Sequence, residues 1–159
     1  MYAFFYFTSC SILLLVAETL LRAAGLTVPL LGFFFAAASF AVSPRMALFF
    51  ALFFGIALDF VMGYTAPWSG LLLPLLTLPA LFLHGKRPDS DVLEFLAGAM
   101  IPCVMTLPYV WSALTTPDGF AALLMSCLVG AVLFPVMLAL VSRSAVRLKI
   151  GAGDRNGGE

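Results

Sequence analysis

One carboxylate in this 159-residue chain lies inside a stretch that is otherwise apolar. Asp59 stands near the end of the run 46–63, in which every other residue is hydrophobic or glycine. An acid within a membrane span is costly, and it is normally found facing protein, water or a ligand. Gly55 and Gly63 each stand four residues from Asp59, so on a helix the three would share one side. We therefore expect Asp59 to be buried where helix backbones pack closely, with its carboxyl group accepting a hydrogen bond from a hydroxyl, a backbone N–H or water.

The ionisable residues do not match a known type of catalytic site. Intramembrane aspartyl chemistry needs two carboxylates that share a site, and Asp59 has no acidic neighbour in its run. Glu18 and Arg22 are four residues apart, which predicts an ion pair on one helix face; alternatively, Arg22 reaches a partner helix. We predict that the chain is not an enzyme and has no catalytic residues.

Metal, cofactor and nucleic-acid binding are not expected either. The chain has one His and three Cys, and the closest cysteines in sequence, Cys103 and Cys127, are 24 residues apart. This spacing is not typical of a metal site. Together with Cys10, these cysteines are interpreted as small hydrophobic residues within apolar runs. The net charge is zero and no phosphate-binding loop is present.

The composition predicts an integral membrane protein. Hydrophobic residues make up 63% of the chain and charged residues 10%, with a mean hydropathy of +1.11. Soluble domains have roughly 25% charged residues. We predict one all-α transmembrane domain over residues 1–150 and a small, polar, disordered cytoplasmic tail over 151–159.

Apolar runs, separated by short breaks that contain Gly or Pro, predict six membrane spans. Segments of about 17–25 apolar residues are long enough to cross a bilayer, and the predicted spans are 3–24, 27–43, 46–63, 68–84, 92–114 and 119–142. Prolines within the later spans indicate bent helices; they are Pro74, Pro79, Pro102, Pro108 and Pro135. These bends fit either a compact curved bundle or a bowl with a central cavity.

The distribution of basic residues predicts the orientation. With both termini in the cytoplasm, seven of the eight Lys and Arg residues fall on the cytoplasmic side, and Arg22 alone falls outside. Such a bias is typical of multi-pass membrane proteins. Tyr64 and Trp68 then fall at an outer interface, where amphipathic aromatic rings are enriched.

The third predicted span and the segment after it resemble the rod shape-determining protein MreD family. The residues that carry the resemblance are Gly55, Asp59 and Gly63 at four-residue spacing, followed by Pro67 and Gly70. In hydropathy the resemblance covers the whole chain, and in residue identity it covers about 55–71.

This resemblance implies a non-enzymatic scaffold of the bacterial cell-elongation (rod) complex in the inner membrane, supporting cell-shape control and peptidoglycan synthesis. The implied partners are a bitopic MreC-like protein and, in the wider complex, RodA and a class B penicillin-binding protein. Lipid and a second copy of the chain are further possible partners. The implied fold is similar to the S components of energy-coupling-factor transporters. The alternative function is therefore that of a vitamin-binding S component.

Two stripes of small or polar residues are candidate contact surfaces. One comprises Gly55, Asp59 and Gly63, and the other comprises Ser126 and Gly130. Four-residue spacing of small residues is typical of close-packed membrane helices. The stripes are expected either to bind a partner or to pack within the monomer.

Overall fold

The described part of the chain is entirely helical. The computed structural model describes residues 2–26, 28–63, 66, 68–82, 91–110 and 117–147, and at 79–82, 91–95, 106–110 and 117–119 the description is confined to the backbone. Within these ranges there is no strand, and the six α-helices are α1 (Tyr2–Ala23), α2 (Leu30–Ala41), α3 (Pro44–Val61), α4 (Trp68–Phe82), α5 (Asp91–Val110) and α6 (Pro117–Arg147).

Three of these helices are long and apolar enough to span a membrane. They are α1, α3 and the segment Phe120–Arg147 of α6. Shorter apolar stretches lie at Leu30–Ala41, Trp68–Leu78 and Leu96–Met105 among the described residues. Helix α2 has 12 residues, so its length is about 18 Å. This is shorter than the hydrocarbon core of a bilayer, which is roughly 30 Å thick.

Helix α2 forms the centre of the bundle. It contacts each of the five other helices, and residues 31–39 are all buried. A helix that is apolar on every side lies either in a protein core or in lipid, and α2 lies in the core of the bundle. Phe33, Phe34 and Phe35 are no more than 2% exposed, and Phe34 packs against Phe7 of α1 with ring centroids 5.9 Å apart. The interior around α2 is therefore filled by aromatic side chains.

Local sequence signals account for several helix ends. After α1, Gly25 has φ +83°, and the N–H groups of Gly25 and Leu26 donate to the carbonyls of Arg22 and Leu21. This is the Schellman arrangement, in which glycine adopts the left-handed conformation at little cost. At the start of α3, Ser43 is the N-cap and Pro44 occupies the first turn, where proline's missing N–H does no harm.

The end of α3 differs from the prediction. Gly63 was expected to lie on the helix face shared by Gly55 and Asp59, but α3 ends at Val61. Gly63 follows with φ +69°, and none of the described residues outside its immediate neighbours places an atom within 4 Å of where its Cβ would be. Gly63 therefore forms the turn after α3 and does not lie on its helical face.

The last helix also differs from its predicted bounds. The sixth span was predicted to end at residue 142, where the apolar residues end, but α6 continues to Arg147. The helix therefore includes polar residues beyond the predicted end of the span. Pro67 and the predicted tail 151–159 lie outside the described residues.

Candidate functional site

Asp59 connects α3 to the first turn of α4. Its side chain is 3% exposed, and its Oδ2 atom accepts a hydrogen bond of 2.9 Å from the backbone N–H of Gly70. The first N–H groups of a helix have no partner within that helix, and the helix dipole favours a negative charge there. The prediction that Asp59 is buried and accepts from a hydroxyl, a backbone N–H or water is thus confirmed, with the backbone N–H of Gly70 as a donor.

Two glycines allow α3 and α4 to approach closely beside this hydrogen bond. A Cβ on Gly55 would lie 2.5 Å from the carbonyl oxygen of Ser69 and 2.8 Å from the Cα of Gly70. A Cβ on Gly70 would lie 2.7 Å from Cγ1 of Ile56. We call the set Gly55, Asp59 and Gly70 the α3–α4 seam.

The α5–α6 seam, formed by Gly98 and Gly130, is the second close approach of two helices. A Cβ on either residue would lie 2.5 Å from the carbonyl oxygen of the other. Ser126, one turn before Gly130 on α6, is 5% exposed. Gly130 thus contacts another helix of the same chain. Sequence reasoning missed Gly98, whose only signal is that it is a glycine within an apolar run.

Glu18 has the same arrangement on α1 as Asp59 has on α3. It is fully buried. Its Oε1 atom accepts from Nη2 of Arg22 at 2.7 Å, which confirms the predicted ion pair. Its Oε2 atom accepts from the backbone N–H of Leu31, at the start of α2, at 2.9 Å. Pro29, at the N-cap position of α2, makes no side-chain capping hydrogen bond, so Glu18 supplies the acceptor from the preceding helix.

The two buried acids therefore perform one structural task. Each lies on one helix and accepts from the first turn of the next helix along the chain, 13 residues on for Glu18 and 11 for Asp59. A charged acceptor strengthens such a hydrogen bond, and a medium without water makes the unsatisfied N–H costly. What this geometry can do is hold α1 against α2 and α3 against α4.

The predicted site residues are thus partly brought together. Gly55, Asp59 and Gly70 meet in one seam; Gly130 lies in the other seam, and Ser126 is buried nearby on α6. Among the described residues, no group of three or more His, Cys, Asp or Glu side chains could hold a metal ion. No family model, no curated protein and no solved structure matches this chain.

Proposed function

We propose that this chain is a non-enzymatic scaffold of the bacterial cell-elongation complex. In this proposal it spans the inner membrane six times, with both termini in the cytoplasm and a helix arrangement similar to that of the S components. It binds an MreC-like bitopic protein, and through that protein it joins RodA and a class B penicillin-binding protein.

The proposal is carried by one observation: residues of the motif that resembles the MreD family contact each other within this chain. The carboxylate of Asp59 binds the N–H of Gly70, and Gly55 lies against the backbone of Ser69. A motif used in this way builds a rigid helix pair, which suits a scaffold. The aromatic filling around α2 favours the scaffold over the vitamin-binding alternative, because a bound vitamin needs a cavity.

With both seams formed within the chain, a partner helix must bind to side chains that point outward. On α3 such side chains recur at helical spacing and form what we call the α3 outer stripe: Phe49, Phe53, Ile56 and Phe60, which are 63%, 61%, 50% and 87% exposed. We propose that the transmembrane helix of the MreC-like protein packs on this stripe.

We expect the double variant Phe53→Ala/Phe60→Ala to lose most of its co-purification with the MreC-like partner. Both rings point outward from the stripe, and membrane helices associate chiefly through packing. Tagged partner recovered from detergent-solubilised membranes is quantified, and size-exclusion chromatography checks that the variant remains a folded monomer.

The matched control is Leu13→Ala/Leu20→Ala, which truncates side chains of α1 that are 70% and 66% exposed. This control should recover as much partner as the wild type. Equal recovery from both double variants would show that the stripe is not the binding surface. Failure of the wild type to recover the partner, or saturable vitamin binding by the purified protein, would overturn the scaffold function itself.

The proposed topology predicts the activity of reporter fusions. Alkaline phosphatase fused after Glu159 should be inactive, because that enzyme folds only outside the cytoplasm, and a fusion within residues 115–119 should be active. Immunoblots must show equal expression of both fusions. An active C-terminal fusion would contradict the orientation that the Lys and Arg residues indicate.

A further inference from the structure

Two cysteines that are far apart in sequence lie side by side in the bundle. The Sγ atoms of Cys103 on α5 and Cys127 on α6 are 3.3 Å apart. Both are free thiols of intermediate exposure. At this distance one thiol can donate a hydrogen bond to the other.

The α5–α6 seam explains why they meet. Cys103 stands five residues after Gly98, and Cys127 stands three residues before Gly130, so the two pairs lie in register on antiparallel helices. A disulfide requires Cα atoms within roughly 4.4–6.8 Å, a separation that only closely packed helices provide. The glycine contact about one turn away keeps the backbones at close range beside the thiols.

We propose that Cys103 and Cys127 are a reversible dithiol–disulfide pair that joins α5 to α6. Oxidation breaks the two S–H bonds and forms one S–S bond. The two electrons and two protons released pass to a lipid-soluble quinone, which becomes the quinol. We assign this class of oxidant because Cys127 lies within the apolar segment Phe120–Arg147, where an oxidant must partition into hydrocarbon to reach it.

Cys10 provides an internal control for the pair. It lies on α1, it is also half-buried and free, and it shares the redox conditions of any experiment on the whole chain. A general sensitivity to oxidation would consume all three thiols, whereas the proposed pair would consume only Cys103 and Cys127.

The test uses the full-length protein in proteoliposomes, with decylubiquinone as the oxidant, because its fully substituted ring does not form thiol adducts. After oxidation, the protein is denatured and alkylated with a maleimide, and its peptides are analysed by mass spectrometry. We expect the alkylated thiols to fall from three to one, with Cys10 as the thiol that remains, an intact mass lower by two hydrogens, and recovery of all three with dithiothreitol.

Cysteine variants test the pairing, and a comparison of two oxidants tests the assigned electron acceptor. Cys10→Ser should still lose both of its remaining thiols on oxidation. Cys103→Ser and Cys127→Ser should each keep both of their remaining thiols. Three labelled thiols after treatment with both the quinone and diamide would overturn the pair, and so would a disulfide between two copies of the chain. A disulfide formed by diamide but not by the quinone would overturn the assigned electron acceptor.

Discussion

We expect Gly55→Ala to destabilise the folded monomer by about 3 kcal/mol, at the upper end of the usual range for overpacking. The new methyl group would lie 2.5 Å from the carbonyl oxygen of Ser69 and 2.8 Å from the Cα of Gly70. Both contacts are with backbone atoms of α4, so no side chain can rotate away. Relief requires α4 to move from α3, which would also lengthen the hydrogen bond between Asp59 and Gly70.

Thermal unfolding in detergent measures this effect, and Gly63→Ala is the matched control. The control makes the same chemical change eight residues away, where a Cβ meets no atom within 4 Å among the described residues beyond its chain neighbours. Its cost should be only about 1–2 kcal/mol, from placing a side chain in the left-handed conformation. A Gly55→Ala protein as stable as the control would show that α3 and α4 are not in close contact there.

The α5–α6 seam gives a parallel expectation. Leucine at position 130 would force its Cβ against the carbonyl oxygen of Gly98, 2.5 Å away, so Gly130→Leu should abolish the folded monomer. If Gly130 instead faced a partner protein, the monomer would remain folded and only co-purification would be lost. Size-exclusion chromatography separates these two results.

A further large effect is expected at Asp59. Asp59→Leu removes the acceptor of the Gly70 N–H and leaves that donor buried, at a cost of about 1–3 kcal/mol, and the branched side chain must also fit beside the seam. Asp59→Asn keeps an oxygen that can accept the same hydrogen bond, so it should fold and insert nearly normally. The apparent Tm of the two variants measures the difference. Equal stability of both would mean that the carboxyl group has no structural role.

Hydropathy predicted six spans, and the described residues form six helices whose ends differ from the predicted bounds. The first helix was predicted at 3–24 and is found at Tyr2–Ala23, because its apolar run ends next to Gly25, the residue that also ends the helix. The second was predicted at 27–43 but occupies only Leu30–Ala41, since Pro29 delays its start. For the last helix, hydropathy indicates where apolar residues end, and the backbone remains helical beyond that point to Arg147.

The buried acids show which parts of the site a sequence can reveal. The cost of a carboxylate in an apolar run was enough to predict that Asp59 is buried and hydrogen-bonded. Local spacing was enough to predict the Glu18–Arg22 pair. The contact between Glu18 and Leu31 joins two helices across a turn, and the pairing of Gly98 with Gly130 depends on how α5 and α6 align. Neither depends on a local pattern, so neither could be predicted from the sequence.

The central claim is that Asp59 serves within the chain as the acceptor for the first turn of α4. Selective ¹⁵N-glycine labelling tests it directly, because the chain has only 13 glycines, and the signal that disappears in Gly70→Ala identifies the Gly70 amide. In Asp59→Asn an amide oxygen takes the place of the carboxyl oxygen, so the strength of the hydrogen bond to the Gly70 N–H changes. We predict that the Gly70 amide proton changes its chemical shift while those of Gly98 and Gly130 stay in place. A Gly70 amide that does not change between the wild type and Asp59→Asn would contradict the claim.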